Sequence, residues 1–431
     1  MSKPVSQMSR SELEQFAAGV EAEYANVQAN RMALDLSRGK PAADQLALSN
    51  GLEDAIAGDY NAADGTDTRN YGGLRGLPEA RELGAELLGI PASAVMAAGN
   101  SSLSLMHLVV SVALRHGLWD DTRAWQHANS PTLLAPVPGY DRHFALSEAL
   151  GIDLQTIDMT DEGPDLAQAQ AAVADNPAIK GIWCVPKYSN PTGCVYSDTT
   201  VEALAELPKL AAADDFVVLW DNAYAVHDLA YPAPELASIH AAAQRAGTAD
   251  HIVQFASTSK ITMAGAGVAF VGAAETILKS LEKQLQFMTI GPDKVNQLRH
   301  SRFLKGRLAA HMQKHAALLQ PKFKIVLDTL STELGSLDIA RWTQPKGGYF
   351  VSLDTLPGLA AEVVSLSAAV GLTLTPAGAT FPYSQDPADT NVRIAPTFAN
   401  LHDLDAAMQV LTLCIKVATA RQLLARGNEE A

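Results

Sequence analysis

The sequence predicts an α/β fold with a largely parallel sheet. Short apolar runs of strand length recur along the chain, at residues 94–98, 132–137, 181–185, 217–220, 251–256 and 268–272. Helix-compatible segments separate most of these runs, including residues 101–116, 198–213 and 233–246. Apolar residues make up 48% of the 431 residues and charged residues 18%, a globular balance in a chain long enough for two domains. Because strands that alternate with helices tend to pair in parallel, we expect one large parallel sheet.

The C-terminal part of the chain changes in character. Residues 293–333 are almost continuously compatible with helix, and Pro321 is the one expected interruption. A Gly-Gly strand (GGYFVSL), a helix and strand within residues 360–374, and a terminal helix from Leu401 follow. This order of elements predicts a second, smaller α/β domain.

We expect the chain to divide into three segments. Residues 1–50 would join the smaller domain, and residues 51–300 would form the large domain. Residues 301–431 would form the small C-terminal domain together with a long connecting helix.

Charge and composition exclude several classes of partner. The formal net charge is −15, from 47 acidic and 32 basic residues, which argues against nucleic acid or an anionic membrane as the main partner. The N-terminal sequence lacks the apolar core of a signal peptide, and residues 264–274, the longest small and apolar run, fall far short of the roughly 20 residues of a membrane span. Cys184, Cys194 and Cys414 have neither disulfide nor metal-site spacing. We therefore expect a cytoplasmic protein without a metal site.

Polar residues follow the ends of several predicted strands, which is where parallel sheets bind ligands. Gly99, Asn100 and Ser101 lie between a strand and a helix, where glycine permits close approach and backbone N–H groups suit a phosphate. Tyr140 follows another strand and is able to stack on a planar cofactor. Asn190 precedes a Pro-Thr-Gly turn, where its amide can donate a hydrogen bond. Taken singly, these residues are also compatible with a helix cap, a packed tyrosine and a structural turn.

Two charged residues at strand ends indicate a reactive site. Asp221 directly follows an apolar run, and a buried carboxylate there needs a partner such as the protonated pyridine nitrogen of a cofactor. Tyr224 comes three residues later and could reach an oxygen on the same ring. Lys260 follows a strand and three hydroxyl residues, and its amine would act as nucleophile and base if desolvated. The alternatives are a helix-capping aspartate and a solvated lysine.

The ordered set of these residues resembles the pyridoxal 5′-phosphate (PLP)-dependent aminotransferases of fold type I, class I/II. The motifs that carry the resemblance are a Tyr-x-x-x-x-Gly-Leu-Pro-x-x-Arg block from Tyr71 to Arg81, Asn-Pro-Thr-Gly, Asp-x-x-Tyr, Ser-x-Ser-Lys and the arginine of NVRIAP. Within this family the chain is most similar to the divergent third subgroup (Ic) of aspartate aminotransferases. The resemblance implies a large PLP-binding domain with a mostly parallel seven-stranded sheet, and a smaller α/β domain built from both termini.

The resemblance also implies roles around the cofactor ring. Lys260 would bind PLP covalently, and Asp221 would hold the pyridine nitrogen. Asn190 and Tyr224 would hydrogen-bond the O3′ oxygen, and Tyr140 would stack on the ring. Lys260, Asp221 and Tyr224 would be the catalytic residues.

Further roles concern the phosphate and the substrate. The phosphate would be bound by Gly99, Asn100, Ser101 and Ser257. Tyr71 would reach the phosphate from a neighbouring subunit, which implies a homodimer with shared active sites. Arg393 would bind the substrate α-carboxylate as a two-pronged fork, with Gly39 and Asn190 beside it.

One position departs from the family pattern. The family usually has a phosphate-binding arginine eight residues after the lysine, and this chain has Val268 there. Lys187, Lys294, Arg38 and Lys40 are the candidates to supply a cation instead. The arginine that would bind a distal side-chain carboxylate does not lie in a recognisable motif.

The expected function is amino-group transfer between aspartate or glutamate and 2-oxoglutarate or oxaloacetate. Lys260 would move the proton of the substrate Cα, Asp221 would keep the cofactor ring protonated, and Arg393 would orient the substrate. One alternative is a PLP-dependent β-lyase or decarboxylase, which shares the cofactor residues. A remote alternative is a non-catalytic PLP- or effector-binding module, as in some transcription regulators, although no basic stretch indicates a DNA-binding domain.

Overall fold

The computed structural model describes residues 3–429, with side chains described as far as residue 426. These residues form two compact units. The terminal unit takes its described residues from Met1–Ala42, Asn190–Gly193 and Ala317–Ala431. The central unit comprises Ala43–Ser189 and Cys194–Ala316. The main boundaries between the units lie after residues 42 and 316, whereas the predicted domain boundaries lie after residues 50 and 300. The domain assignment itself stays a prediction.

The strands are numbered in chain order. They are β1 (Leu34–Asp35), β2 (Val95–Ala97), β3 (Thr132–Val137), β4 (Asp153–Thr160), β5 (Gly163–Pro164), β6 (Ile179–Cys184), β7 (Val217–Asp221), β8 (Ile252–Ser257), β9 (Ala269–Gly272), β10 (Ala340–Trp342), β11 (Val351–Thr355), β12 (Leu372–Thr373) and β13 (Asn391–Ile394).

The helices are numbered in the same way. They are α1 (Arg10–Ala29), α2 (Ala43–Ala47), α3 (Pro78–Leu88), α4 (Ser102–His116), α5 (Asp141–Ala149), α6 (Leu166–Asp175), α7 (Asp198–Leu210), α8 (Ile239–Ala246), α9 (Glu275–Met288), α10 (Lys294–Leu304), α11 (Leu308–Leu334), α12 (Ala360–Ala369) and α13 (Leu401–Glu429).

The central unit contains one large mixed sheet, and the predicted α/β fold class is confirmed. Its strands lie in the order β2-β9-β8-β7-β6-β3-β4-β5. The pairs from β8 through β7, β6 and β3 to β4 are parallel, whereas β9 pairs antiparallel with both β2 and β8. The parallel strands bring their carboxyl ends to one edge of the sheet, where the predicted site residues follow.

The sheet has eight strands rather than the predicted seven. The additional strand is β5, two residues that return antiparallel against the end of β4. Neither β4 nor β5 has a continuous apolar run, because β4 lies near the sheet edge and Ile157 is its one buried residue. Strand prediction from apolar runs therefore misses this edge.

Both faces of the sheet are covered by apolar side chains. Along β7, Val217 and Leu219 belong to one core cluster, whereas Val218 and Trp220 belong to another. The first cluster includes residues of α4 and α9, and the second includes residues of α6, α7 and α8. Burial on both faces explains why the central strands are apolar along most of their length.

The expected helix break at Pro321 is wrong. The helix α11 continues through Pro321, and the chain is interrupted instead between α10 and α11, where Gly306 has a φ of +67°. A proline within a helix costs about 3 kcal/mol. Leu319, Phe323 and Val326 are all buried on the same helix, and their burial offsets this cost.

The terminal unit combines helices with two small sheets. The strands β10, β11 and β13 form an antiparallel sheet, and β1 pairs in parallel with β12. Ser352 of β11 lies opposite Arg393 of β13. Helix α1 begins with a capping box in which Ser9 and Glu12 satisfy each other's backbone N–H groups.

No helix among the residues that the structure describes combines the length and apolar character needed to cross a bilayer. No group of three or more histidine, cysteine, aspartate or glutamate side chains within residues 3–429 is arranged to hold a metal ion.

Candidate active site

Two charged site residues of the central unit, Asp221 and Lys260, lie at or just beyond the carboxyl ends of β7 and β8. These strands are neighbours in parallel register, with Asp221 opposite Phe255. Asp221 ends β7, and Ser257 ends β8 three residues before Lys260. The apolar strands thus fix where the two charged side chains begin.

Asp221 is a deeply buried carboxylate with one unmatched oxygen. Its exposed fraction is 2%, and its Oδ2 accepts a hydrogen bond from His143 Nε2 at 3.0 Å. Its Oδ1 is buried, and no hydrogen-bond partner for it lies among residues 3–429. Leaving a buried carboxylate oxygen unmatched costs about 1–3 kcal/mol or more. A cationic N–H donor on a ligand, such as a protonated ring nitrogen, would remove that cost.

His143 is a functional candidate that the sequence reasoning missed. It lies three residues after Tyr140 on α5, it is 1% exposed, and its ring stacks on Trp183 with centroids 4.2 Å apart. Because a carboxylate oxygen can only accept, His143 must carry its proton on Nε2. The sequence signal that could have identified His143 is a histidine in the first turn of a helix that begins just after a strand.

Lys260 is placed as a reactive amine. Burial lowers the pKa of its amine below the ordinary value, and the negative charge of Asp221 opposes part of that shift. Its Nζ lies 4.9 Å from the ring centroid of Tyr224, which is buried. A lowered pKa increases the fraction of neutral amine, the form that acts as nucleophile and base.

The loop between β2 and α4 contains the predicted phosphate residues. Gly99 has a φ of +67°, a conformation that favours glycine. Asn100 donates from Nδ2 to the carbonyl of Gly265 at 3.0 Å, and Ser259 donates to the carbonyl of Asn100 at 2.9 Å. Ser101 is the N-cap of α4, but its side chain makes no capping hydrogen bond. The first N–H groups of this 15-residue helix thus receive no cap from the Ser101 side chain, and the N-terminus of a helix suits an anion.

Val268 belongs to the core and not to a cation site. It is 1% exposed and packs in an apolar cluster with Phe270 and Ile261. Its N–H donates to Thr258 Oγ1 at 2.9 Å. An arginine at this position would require a different path for the loop.

The candidate replacement cations have other partners or positions. Lys187 forms an ion pair with Asp228 at 2.8 Å. Lys294 is 3% exposed and donates to the carbonyls of Tyr71 and Gly72 at 3.0 and 2.7 Å. Arg38 and Lys40 are exposed residues of the terminal unit. Lys294 thus holds the loop that carries Tyr71, whose side chain is 79% exposed.

The terminal unit gathers the predicted residues for the substrate carboxylate. Arg393 is 8% exposed and donates to Asn190 Oδ1 at 3.3 Å and to Thr375 Oγ1 at 3.4 Å. Its guanidinium carbon lies 4.9 Å from the ring centroid of Phe350. The amide, the hydroxyl and the ring orient the guanidinium, whose planar fork matches the geometry of a carboxylate.

Gly39 lies against the same aromatic ring. A Cβ atom added at Gly39 would lie 2.3 Å from Cζ of Phe350. The position therefore requires glycine because of close approach. The terminal unit places Gly39 and Arg393 against Phe350 and Asn190 against Arg393, whereas the other predicted site residues belong to the central unit.

The similarity of the chain to known proteins identifies its family. The model of the aspartate amino-transferase family matches residues 8–427. The chain belongs to this family. It is an aminotransferase of fold type I, as the sequence resemblance predicted.

Relatives of this aminotransferase match over nearly its whole length. It is 47% identical over 93% of its length to a protein of Mycolicibacterium smegmatis assigned as an aminotransferase, and it covers 94% of that protein. It is 40% identical over 94% of its length to an aspartate aminotransferase of Corynebacterium glutamicum, again covering 94% of the relative. A crystal structure of an aspartate transaminase from Corynebacterium glutamicum superposes with a TM-score of 0.94 at 39% identity, covering 98% of this chain and 100% of the other.

Proposed function

We propose that this aminotransferase binds PLP and transfers the amino group between aspartate or glutamate and 2-oxoglutarate or oxaloacetate. The observation that carries the cofactor assignment is the unmatched Oδ1 of buried Asp221, at the end of the strand beside the one that leads to Lys260. The aspartate aminotransferase name of the relative that is 40% identical supports the choice of substrates.

The residues present fit the cofactor's separate parts. Asp221 would hold the ring nitrogen, Tyr140 would lie against the ring, and Asn190 and Tyr224 would hydrogen-bond O3′. The phosphate would be bound by Gly99, Asn100, Ser101 and Ser257. With Val268 in the core, the phosphate depends on the α4 N-terminus and hydroxyl groups more than on an arginine. When bound, PLP withdraws electrons from the substrate Cα and so makes its proton acidic.

The chain's own residues then divide the remaining work. Lys260 Nζ accepts the proton from the substrate Cα and later returns a proton, because burial favours its neutral form. His143 donates to Asp221 Oδ2 and so fixes the orientation of the carboxylate. Arg393 binds the substrate α-carboxylate through both nitrogens and orients the Cα–H bond.

We also propose that the protein is a homodimer in which Tyr71 enters the active site of the second copy. Tyr71, Phe287, Met288 and Ile290 are exposed by 79%, 77%, 68% and 66%. The N–H of Gly72 donates to the carbonyl of Ile290, which links the two exposed segments in one patch. An apolar patch of this kind on a folded chain indicates an interface. Light scattering after gel filtration should give twice the chain mass, and Phe287→Glu should reduce that mass.

A screen with single amino acids tests the substrate assignment. The purified protein is reconstituted with PLP and mixed separately with aspartate, glutamate, alanine and phenylalanine. We expect aspartate and glutamate to remove the visible absorption of the lysine-bound cofactor fastest, with one equivalent of the matching 2-oxo acid released. Lys260→Ala is the control, because it should lack that absorption from the start.

The same screen separates the competing activities. Formation of alanine and CO₂ from aspartate would identify a decarboxylase. Formation of ammonia and a 2-oxo acid from a substrate with a β-leaving group would identify a lyase. Binding of PLP without turnover of any amino acid would favour the effector-binding module.

A further inference from the structure

Two histidines of α11 contact the main chain directly after Lys260. His311 Nε2 lies 2.7 Å from the carbonyl oxygen of Ile261, and His315 Nε2 lies 2.9 Å from the same oxygen. The two nitrogens lie 3.2 Å from each other. The carbonyl of Ile261 thus accepts hydrogen bonds from two imidazoles that are one helical turn apart.

A third histidine contacts the preceding carbonyl. His227 Nε2 lies 3.2 Å from the carbonyl oxygen of Lys260. His227, His311 and His315 are exposed by 3%, 7% and 1%. We call these three residues the histidine clamp. It holds two consecutive carbonyls, one of which belongs to the reactive lysine itself.

The acceptors fix the protonation of the clamp. A carbonyl oxygen can only accept, so each imidazole must carry a proton on Nε2. A carbonyl has two lone pairs, which allows Ile261 to accept from both His311 and His315. Gln45 Nε2 lies 3.3 Å from His315 Nδ1, and an amide N–H facing that nitrogen requires it to be unprotonated. His315 is therefore the neutral Nε2–H tautomer.

The electrostatic surroundings keep the imidazoles neutral. Burial, followed by the positive charge of His311, lowers the pKa of His315 to about 4. Burial, followed by the positive charges of His315 and Lys260, lowers the pKa of His227 to about 3. Burial also lowers the pKa of His311, and Lys314 adds to that effect. Because these imidazoles are neutral, they place no additional positive charge near the amine of Lys260.

We propose that the histidine clamp positions Lys260, so that His227, His311 and His315 hold the main chain from which the reactive amine extends. This inference rests on the proposed role of Lys260. A lysine side chain is a flexible stem of four carbons. The main chain from which it extends must therefore be held in place if its amine is to reach one substrate atom. Misplacement by about 1 Å can reduce turnover by about 10²-fold. We assign the clamp to positioning, because its imidazoles contact carbonyls and not reacting atoms.

Hydrogen exchange of the full-length chain, with and without PLP, tests the proposal. Replacing His311 and His315 with leucine removes both donors to Ile261. The amides of Ile261, Thr262 and Val268 bond within the same loop, to Thr258. We expect peptides that cover residues 258–268 to exchange about tenfold faster in the double variant, because the loop opens more often. We also expect the pH midpoint of the lysine–cofactor absorption to shift, and kcat to fall more than KM rises.

Two further variants distinguish positioning from loss of packing. Leu319 is buried on the same helix and lies outside the core cluster that contains Ile261 and Val268, so Leu319→Ala should lower stability without changing exchange of residues 258–268. His315→Gln keeps an N–H donor near the original place, and it should restore slow exchange. If the double variant does not fold, His315→Leu is used alone with the same comparison.

The outcomes separate this proposal from the proposed function. Unchanged exchange in the leucine variants, or an equal increase in Leu319→Ala, would overturn the clamp. A wild-type chain that takes up no PLP would overturn the proposed function, but exchange without PLP would still report on the clamp. Faster exchange with an unshifted midpoint and unchanged kcat would also overturn the positioning role.

Discussion

The region around Lys260 and the region around Arg393 hold their charged groups in different ways. In the central unit, Asp221 accepts a hydrogen bond from the imidazole of His143, and Lys260 extends from a main chain whose carbonyls contact three imidazoles. In the terminal unit, Arg393 is held by an amide, a hydroxyl and an aromatic ring. The first arrangement controls protonation states, whereas the second controls the direction of a permanent charge. Changes in the first region should therefore affect chemistry, and changes in the second should affect substrate binding.

The largest effect is expected for Lys260→Ala. Without the amine no base remains for the Cα proton, and turnover should fall by at least about 10⁴-fold. Burial already disfavours the charge of this lysine, so the thermal midpoint should not fall. Turnover, visible absorption and thermal unfolding are measured on the same preparation. Residual turnover within tenfold of wild type would assign the base to another residue.

The next largest effect is expected for Asp221→Asn. The amide keeps the size of the carboxylate but lacks its charge, so the ring nitrogen would lose its proton and turnover should fall by about 10³-fold. Asp215 is the matched control, because it is also buried and is paired with Lys180 at 2.7 Å near the opposite end of β7. Asp215→Asn should lower stability and leave the cofactor absorption unchanged. Equal loss of activity in both variants would mean that burial, and not the ring nitrogen, explains Asp221.

The sequence predicts the reactive residues of the central unit better than the residues that hold them in place. Asp221 and Lys260 directly follow apolar strands of a parallel sheet, so topology alone brings them to one edge. His143 and the histidine clamp lie on helices or loops, and their partners are 33 to 78 residues away in sequence. No local pattern records such contacts, because they arise only when helices pack on the sheet.

Other features that the sequence did not predict have similar physical causes. The strand β4, next to the sheet edge, lacks a buried apolar run, and Pro321 is tolerated because the helix around it buries a large apolar face. Arg393 was recognised from a family motif, but Phe350 and Thr375 were not, because their role depends on strand pairing within the terminal unit. Local propensity gives way to tertiary packing in each case.

A smaller effect that falls on binding is expected for Arg393→Lys. Lysine keeps the charge but cannot make two parallel hydrogen bonds to a carboxylate, so KM for the amino donor should rise by about 10²-fold. Binding of PLP, measured by the visible absorption, should stay unchanged. Arg341→Lys is the control, because Arg341 is exposed in the same small sheet. Equal weakening of cofactor and substrate would give Arg393 a structural role instead.

The smallest effect is expected for Gly39→Ala. The new methyl group would lie 2.3 Å from Cζ of Phe350, so the ring must shift, which disturbs its contact with the guanidinium of Arg393. A ring–cation contact of this kind contributes about 1 kcal/mol, which predicts a rise in donor KM of about fivefold with kcat nearly unchanged. Gly19→Ala is the matched control in the same unit, because no atom lies within 4 Å of its added methyl group. If Gly39→Ala lowered kcat and left KM unchanged, the terminal unit would also act on chemistry, and the contrast between the two regions would fail.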